Sequence, residues 1–268
     1  MPSTSAIRQE IESSLAVRIP GALSVRFHQT PDMVATGIVE LDGFLSGGLP
    51  LGELTEIVGP ACSGKTTLVS SLLAGVTRQG AACAYVDVAD AFDPLSAAAL
   101  GIDLSRLLWV RAGQPFERFA ERTRESWARL DQALRATDLL LSAGGFRVIV
   151  LDTGGALDVG AEQVRRVPLA SWYRYRLQAE KSQALFLLLT QTPCAKSCAS
   201  VVLHCADATE RWECASGKGL PLLTGFEFKV RADRKRGALR EPILSFSLGK
   251  KPVCAAETPW KRTTLWAR

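Results

Sequence analysis

The chain has 268 residues, with 32 basic against 27 acidic side chains for a formal net charge of +5, and is 47% hydrophobic and 22% charged. Such a balance excludes general disorder and suits one large domain, or one domain with an appendage. No apolar run approaches the ~18 residues of a membrane helix, and the opening MPSTSAIRQEIESSL lacks an apolar signal core, so a cytoplasmic protein with no membrane partner is expected.

Residues 1–35 read as an N-terminal helix and linker. Ile7, Ile11 and Leu15 recur at helical spacing within residues 6–16, and a short strand is expected at Leu23 to Phe27. From residue 36 the grammar is that of an α/β core. The apolar runs at 54–58, 82–88, 107–110, 146–151 and 184–190 lack strict alternation, as do strands buried on both faces of a sheet. Stretches of helical length separate them: 65–78, 116–141 and 168–181. Strand alternating with helix predicts a mostly parallel central sheet flanked by helices, with right-handed crossovers. A strand is expected at Val201 to His204. Phe226, Phe228 and Val230 then alternate with charged residues, and together with Ile243 to Leu248 they predict an antiparallel hairpin at the sheet edge. Residues 250–268 read as a flexible aromatic-basic tail, with Trp260 and Trp266 as candidate anchors for a protein partner.

The seven cysteines form no disulfide pattern. Cys194, Cys198, His204, Cys205 and Cys214 cluster in sequence but contain no Cys-x-x-Cys pair, so reduced structural thiols are expected rather than a zinc site.

The informative segment is Gly59-Pro60-Ala61-Cys62-Ser63-Gly64-Lys65-Thr66, an unbroken G-x-x-x-x-G-K-[ST] between a predicted strand and a predicted helix. In that setting backbone N–H groups converge on phosphate oxygens, helped by the positive end of the helix. Lys65 would reach the β- and γ-phosphates, Thr66 would complete a Mg²⁺ shell, and Thr67 follows on the same turn. Asp152, ending the run RVIVLD, is the expected carboxylate partner of the metal. ATP and Mg²⁺ are therefore the expected ligands.

Charge is unevenly distributed. Residues 1–160 hold 13 basic and 18 acidic side chains, whereas 161–268 hold 19 and 9. An anionic partner is expected for the second part. Its dense groups are Arg165, Arg166, Arg174 and Arg176, interleaved with Trp172, Tyr173 and Tyr175, and Lys229, Arg231, Arg234, Lys235, Arg236 and Arg240 on the predicted hairpin. Aromatics among arginines suit stacking with single-stranded DNA, although Trp172 and Tyr175 could equally pack their helix onto the sheet.

These motifs, in this order, resemble bacterial RecA and its truncated relatives over about residues 36–249. The segments concerned are TGIVELDGFLSGGLPLGELTEIVGPACSGKTTL (36–68), ACAYVDVADAFDPLSAAALGIDLSRLLWVR (82–111), VIVLDTGGAL (148–157) and ALFLLLTQ (184–191). The resemblance implies a RecA-like P-loop ATPase core, ring or filament assembly, and DNA transactions. Asp93 and Pro94 match the family's adenine-side pair, with Ser96 where the family stacks an aromatic residue on the base. Gln191 matches the glutamine that senses γ-phosphate. The position of the family's water-positioning glutamate is held by Ala89, and Asp90 beside it is the candidate substitute carboxylate. The loop after Gln191 is short, and the family's additional C-terminal domain is missing. In this family the 229–240 cations would reach a neighbour's γ-phosphate or contact DNA, and the 165–176 segment lies where the first DNA loop is found. The truncation and the altered glutamate are similar to ImuA-type proteins, accessory factors in SOS mutagenesis and translesion synthesis. That likeness implies a RecA-type or polymerase-accessory partner, or a homo-oligomer, a slow DNA-dependent ATPase at most, and a cytoplasmic, nucleoid-associated location. An active DNA-dependent ATPase of the recombinase type is the alternative.

Overall fold

The computed structural model describes residues 10, 13–14, 31–112, 122–154, 161–214, 221–234 and 243–248. The chain divides into two units, Met1–Pro31 and Asp32–Arg268. In the first, the Ser13 hydroxyl donates to the Glu10 carbonyl at 2.9 Å, as in a helical turn. The remainder of the predicted N-terminal helix, the strand at 23–27 and the tail at 250–268 lie outside the described residues.

The second unit begins with β1 (Met33–Val34) paired antiparallel to β2 (Leu49–Pro50), which bracket the short helix α1 (Val39–Phe44). Asp42 fixes this segment by accepting from the amide and the hydroxyl of Thr36, at 2.7 and 2.8 Å. There follow β3 (Leu54–Val58), α2 (Lys65–Arg78), β4 (Cys83–Asp87), α3 (Pro94–Ala99), β5 (Leu107–Arg111), α4 (Arg122–Ala143), β6 (Val148–Asp152), α5 (Ala161–Arg165), α6 (Leu169–Ser182) and β7 (Leu185–Thr190). The chain ends its described part with β8 (Val201–Cys214), β9 (Pro221–Arg234) and β10 (Ile243–Leu248).

Among the described residues, eight strands form one sheet in the order β10-β9-β8-β3-β7-β6-β4-β5. The six strands from β8 to β5 are parallel, and β8-β9-β10 are antiparallel, as expected for a parallel core with an edge hairpin. Strand alternation sorts the buried side chains into two cores. Ile57, Tyr85, Val150 and Leu187 face Leu68, Leu72 and Leu73 of α2. Leu54, Val86, Leu151 and Phe186 face Leu130 of α4 and Trp172 and Tyr175 of α6. Covering both faces is what makes these strands read as continuous apolar runs.

The expected strand at 201–204 is the beginning of a much longer one. Only Val201–His204 pairs with β3; the rest of β8 continues past the carboxyl end of β3, paired with β9 alone among its neighbours. At ~3.3 Å per residue this ribbon projects on the order of 30 Å beyond the edge where the Gly59–Thr66 loop lies. Beyond His204 the β8 sequence, CADATERWEC, carries no sustained apolar alternation, which is why only its first four residues read as a strand. Among the described residues, no helix is long and apolar enough to cross a membrane.

Candidate functional site

The carboxyl ends of β3, β6, β4 and β7 meet at one edge of the sheet, the usual place for a ligand crevice in an open α/β sheet. The chain leaves β3 through Gly59–Gly64 and enters α2 at Lys65. Gly59 must be glycine: a Cβ there would stand 2.4 Å from the Cys205 carbonyl oxygen of β8. Gly64 sits at φ 83°, a left-handed turn that aims the loop amides inward. No side chain caps the start of α2, and the buried Ser63 hydroxyl oxygen has no hydrogen-bond partner among the described residues. By contrast, α3 is fully capped by Asp93, which accepts from the amides of Leu95 and Ser96 at 3.1 and 3.2 Å. The uncapped amides of α2 are therefore free to serve an anion.

Lys65 folds back over the loop, donating to the carbonyls of Gly59 at 2.5 Å and Pro60 at 2.7 Å. Burial lowers its pKa from the ordinary lysine range, opposed by the nearby Cys205 thiol and the Asp152 carboxylate. Pro60, Ala61, Cys62 and Thr66 are exposed on the loop, and Thr67 is half-buried. Asp152 ends β6. Its Oδ2 accepts from the Tyr85 hydroxyl at 2.5 Å and its Oδ1 from the Gly154 amide at 2.9 Å. Burial pushes the Asp152 carboxyl up, and these two hydrogen bonds and Lys65 oppose the shift. Burial and Asp152 likewise drive the Tyr85 hydroxyl well above the ordinary tyrosine range, so it is protonated and donates. A hydroxyl and a carboxylate beside a phosphate-type loop are the hard oxygen donors that suit Mg²⁺.

Residues 88–93 form the second wall. Asp87, buried at the end of β4, accepts from the amides of Ala91 at 3.1 Å and Phe92 at 2.8 Å, and from Trp109 Nε1 at 3.3 Å. Ala89 lies against the β6 edge: a Cβ on Gly154 would be 2.6 Å from its methyl. Asp90, at φ 57°, forks onto Arg111 with both contacts at 2.6 Å, and Arg111 lies over the Trp109 ring. That hydrogen-bonded guanidinium holds the Asp90 carboxyl below the usual carboxylate range. Asp93 is exposed and takes its place as the cap of α3, with the Ser96 hydroxyl 2.5 Å away.

On the far side, Gln191 follows β7. Its Nε2 is buried with no hydrogen-bond partner among the described residues. It lines a pocket of about 370 Å³ with Gly59, Pro60, His204, Lys229 and Arg231. Arg231 pairs with Asp233 at 2.6 Å, and His204 Nε2 lies 2.7 Å from the same carboxylate. The backbone of Arg234 ends β9, while Lys235, Arg236 and Arg240 fall outside the described residues. Sequence reasoning missed the buried Glu56 on β3. It accepts from the Cys194 amide at 2.7 Å and from the Thr190 hydroxyl at 3.3 Å, tying the loop after Gln191 to the phosphate-loop strand. A charged residue inside an otherwise apolar strand was its signal.

Of the 165–176 segment, Trp172 and Tyr175 are core residues, packed edge-to-face with Phe186 beyond. Arg174 pairs with Asp138 at 3.1 Å, and Arg176 approaches Glu53 at 3.5 Å. Arg165, Arg166 and Tyr173 are exposed. Cys194, Cys198 and Cys205 are buried thiols outside any disulfide, and among the described residues no group of three or more His, Cys, Asp or Glu is arranged to hold a metal.

Comparison with known proteins agrees with this geometry. The family described as the RecA N-terminal domain matches residues 18–167. Protein RecA of Ectopseudomonas oleovorans is 41% identical over 132 residues, 49% of this chain and 34% of that protein, so the match spans about a third of the relative's length. The crystal structure of the RadB recombinase superposes with a TM-score of 0.52 over 80% of this chain and 95% of that one, at 21% identity, a likeness of fold. One family covers more than half of the chain, including the Gly59–Thr66 loop and Asp152, and the chain belongs to it: the RecA N-terminal domain family.

Proposed function

We propose that this protein is a RecA-like, Mg²⁺- and ATP-binding factor of DNA repair and recombination, acting as an accessory in damage-induced mutagenesis with slow turnover. The observation that carries the reading is the pairing of a complete phosphate loop and Asp152 with Ala89 at the adjoining strand end. Gly59–Thr67 bind and orient the triphosphate through backbone amides, with Lys65 leaving its loop carbonyls for the phosphate oxygens. Thr66 and Asp152 would hold Mg²⁺, which when bound would supply neutralisation of phosphate charge. Asp93 borders the base. The buried Gln191 Nε2, without a hydrogen-bond partner among the described residues and in a pocket shared with Pro60, supports its reading as the γ-phosphate sensor. A positioned general base contributes ~10²–10⁴ in rate, and Ala89 has no group to act as one.

The alternative, an active DNA-dependent ATPase, needs Asp90 to open its Arg111 pair and act as the catalytic carboxylate. Its supporting observation is that Lys229 and Arg231 line a pocket next to the phosphate loop. Those two residues, with Arg165, Arg166, Arg174, Arg176, Arg234, Lys235 and Arg236, are the candidate contacts to single-stranded DNA or to a neighbouring subunit or partner. The test is ATP turnover with and without single-stranded DNA, alongside DNA binding across a salt series. The accessory reading expects ATP-dependent DNA binding with a steep salt slope and little stimulation of hydrolysis. Strong DNA-stimulated hydrolysis lost in Asp90→Ala would replace it with the alternative.

A further inference from the structure

The geometry points to Tyr85 as the positioning residue for the metal-side carboxylate: its hydroxyl holds Asp152 in the orientation that receives Mg²⁺ and ties it to the 88–93 loop. The inference rests on the nucleotide-site reading above. Tyr85 and Asp152 stand on adjacent parallel strands, in a register that puts Tyr85 opposite Val150 and Asp87 opposite Asp152. The Tyr85 ring is fully buried, and its hydroxyl donates to Asp152 Oδ2 at 2.5 Å, the short distance of a hydroxyl–carboxylate bond. Gly154 donates to the other oxygen. With one donor on each oxygen the carboxylate plane is fixed, and the remaining lone pairs are left for a metal or its water.

The same ring continues away from the site. Phe92 lies on it at 4.7 Å between centroids, and Trp109 lies on Phe92 at 5.4 Å. Phe92 belongs to the loop that carries Ala89 and Asp93, so a shift of that loop is transmitted through packed rings to the Asp152 hydrogen bond. An apolar ring at position 85 would fill the same space but leave Asp152 Oδ2 without its donor.

The test is Tyr85→Phe, which keeps the ring and its stack and removes one hydroxyl. Binding of a fluorescent ADP analogue is titrated with Mg²⁺, and again in EDTA. Partners that orient a metal's ligands are typically worth 10–100-fold in metal affinity. The Mg²⁺ midpoint should therefore rise about tenfold in Tyr85→Phe, while binding in EDTA, which reports that the loop and fold are intact, stays at the wild-type level. A Tyr85→Phe curve that superimposes on wild type, or a loss that is equal with and without Mg²⁺, overturns the positioning role while leaving the nucleotide site standing. A wild-type protein that binds the analogue under neither condition overturns the nucleotide-site reading itself, and this inference with it.

Discussion

At the scale of single residues, the decisive position is 89. The methyl of Ala89 lies against Gly154 at the edge of β6, two residues beyond Asp152. A glutamate there would extend from the end of β4, beside the end of β6 where Asp152 stands. Ala89→Glu should therefore raise ATP turnover at least ~10-fold, toward the ~10²–10⁴ that a positioned base contributes. A steady-state hydrolysis assay reads this directly, and an unchanged rate would mean that something other than the missing carboxylate limits turnover. Next to it, Asp87 makes a structural rather than a catalytic contribution. Its three accepted hydrogen bonds hold the loop against Trp109. Asp87→Ala leaves those donors to find other partners, and about 2 kcal/mol of stability should be lost in denaturant unfolding.

At the scale of elements, α6 shows how packing takes residues away from a binding role. Trp172 and Tyr175 are fully buried, and the Tyr175 hydroxyl donates to the Leu134 carbonyl of α4 at 3.0 Å. Trp172→Ala should cost ~3–5 kcal/mol, as large-to-small core substitutions do. A variant of unchanged thermal stability with lost DNA affinity would return Trp172 to the surface role. The strands β3 to β7 and the helices α2 and α6 were legible because burial on two faces, or on one stripe, leaves a periodic mark in the sequence. Other features left no such mark. The continuation of β8 over Cys205 to Cys214 carries no sustained apolar alternation, so only its start at Val201 to His204 was legible, whereas the alternation at 226–230 marked β9. Tyr85 and Asp152 are 67 residues apart, and Glu56 and Cys194 are 138 apart. Pairings at that range depend on strand order, which a local pattern does not carry. The cap made by Asp93 was within reach, because Asp before Pro at a helix start is a local signature.

At the scale of the whole molecule, the charge asymmetry acquires a location. The acid-rich part contains the phosphate loop, Asp152 and the 88–93 wall. The basic part supplies Lys229 and Arg231 to a pocket that touches Gly59 and Pro60 of that loop. Between them, Glu56 anchors the loop after Gln191 to the strand that leads into the phosphate loop. The two parts of the chain thus converge on one end of the sheet, where Gln191 shares a pocket with Gly59 and Pro60 of the loop that, in the proposed function, would bind nucleotide. All of this depends on occupancy of the phosphate loop. The most direct measurement is equilibrium binding of a fluorescent ATP analogue, with Mg²⁺, to the wild-type protein and to Lys65→Ala. The account predicts saturable binding to wild type and a loss of at least ~10-fold in affinity for the variant, since the ammonium provides charge-assisted bonds to the phosphates. No binding to wild type, or equal binding to both, would contradict it.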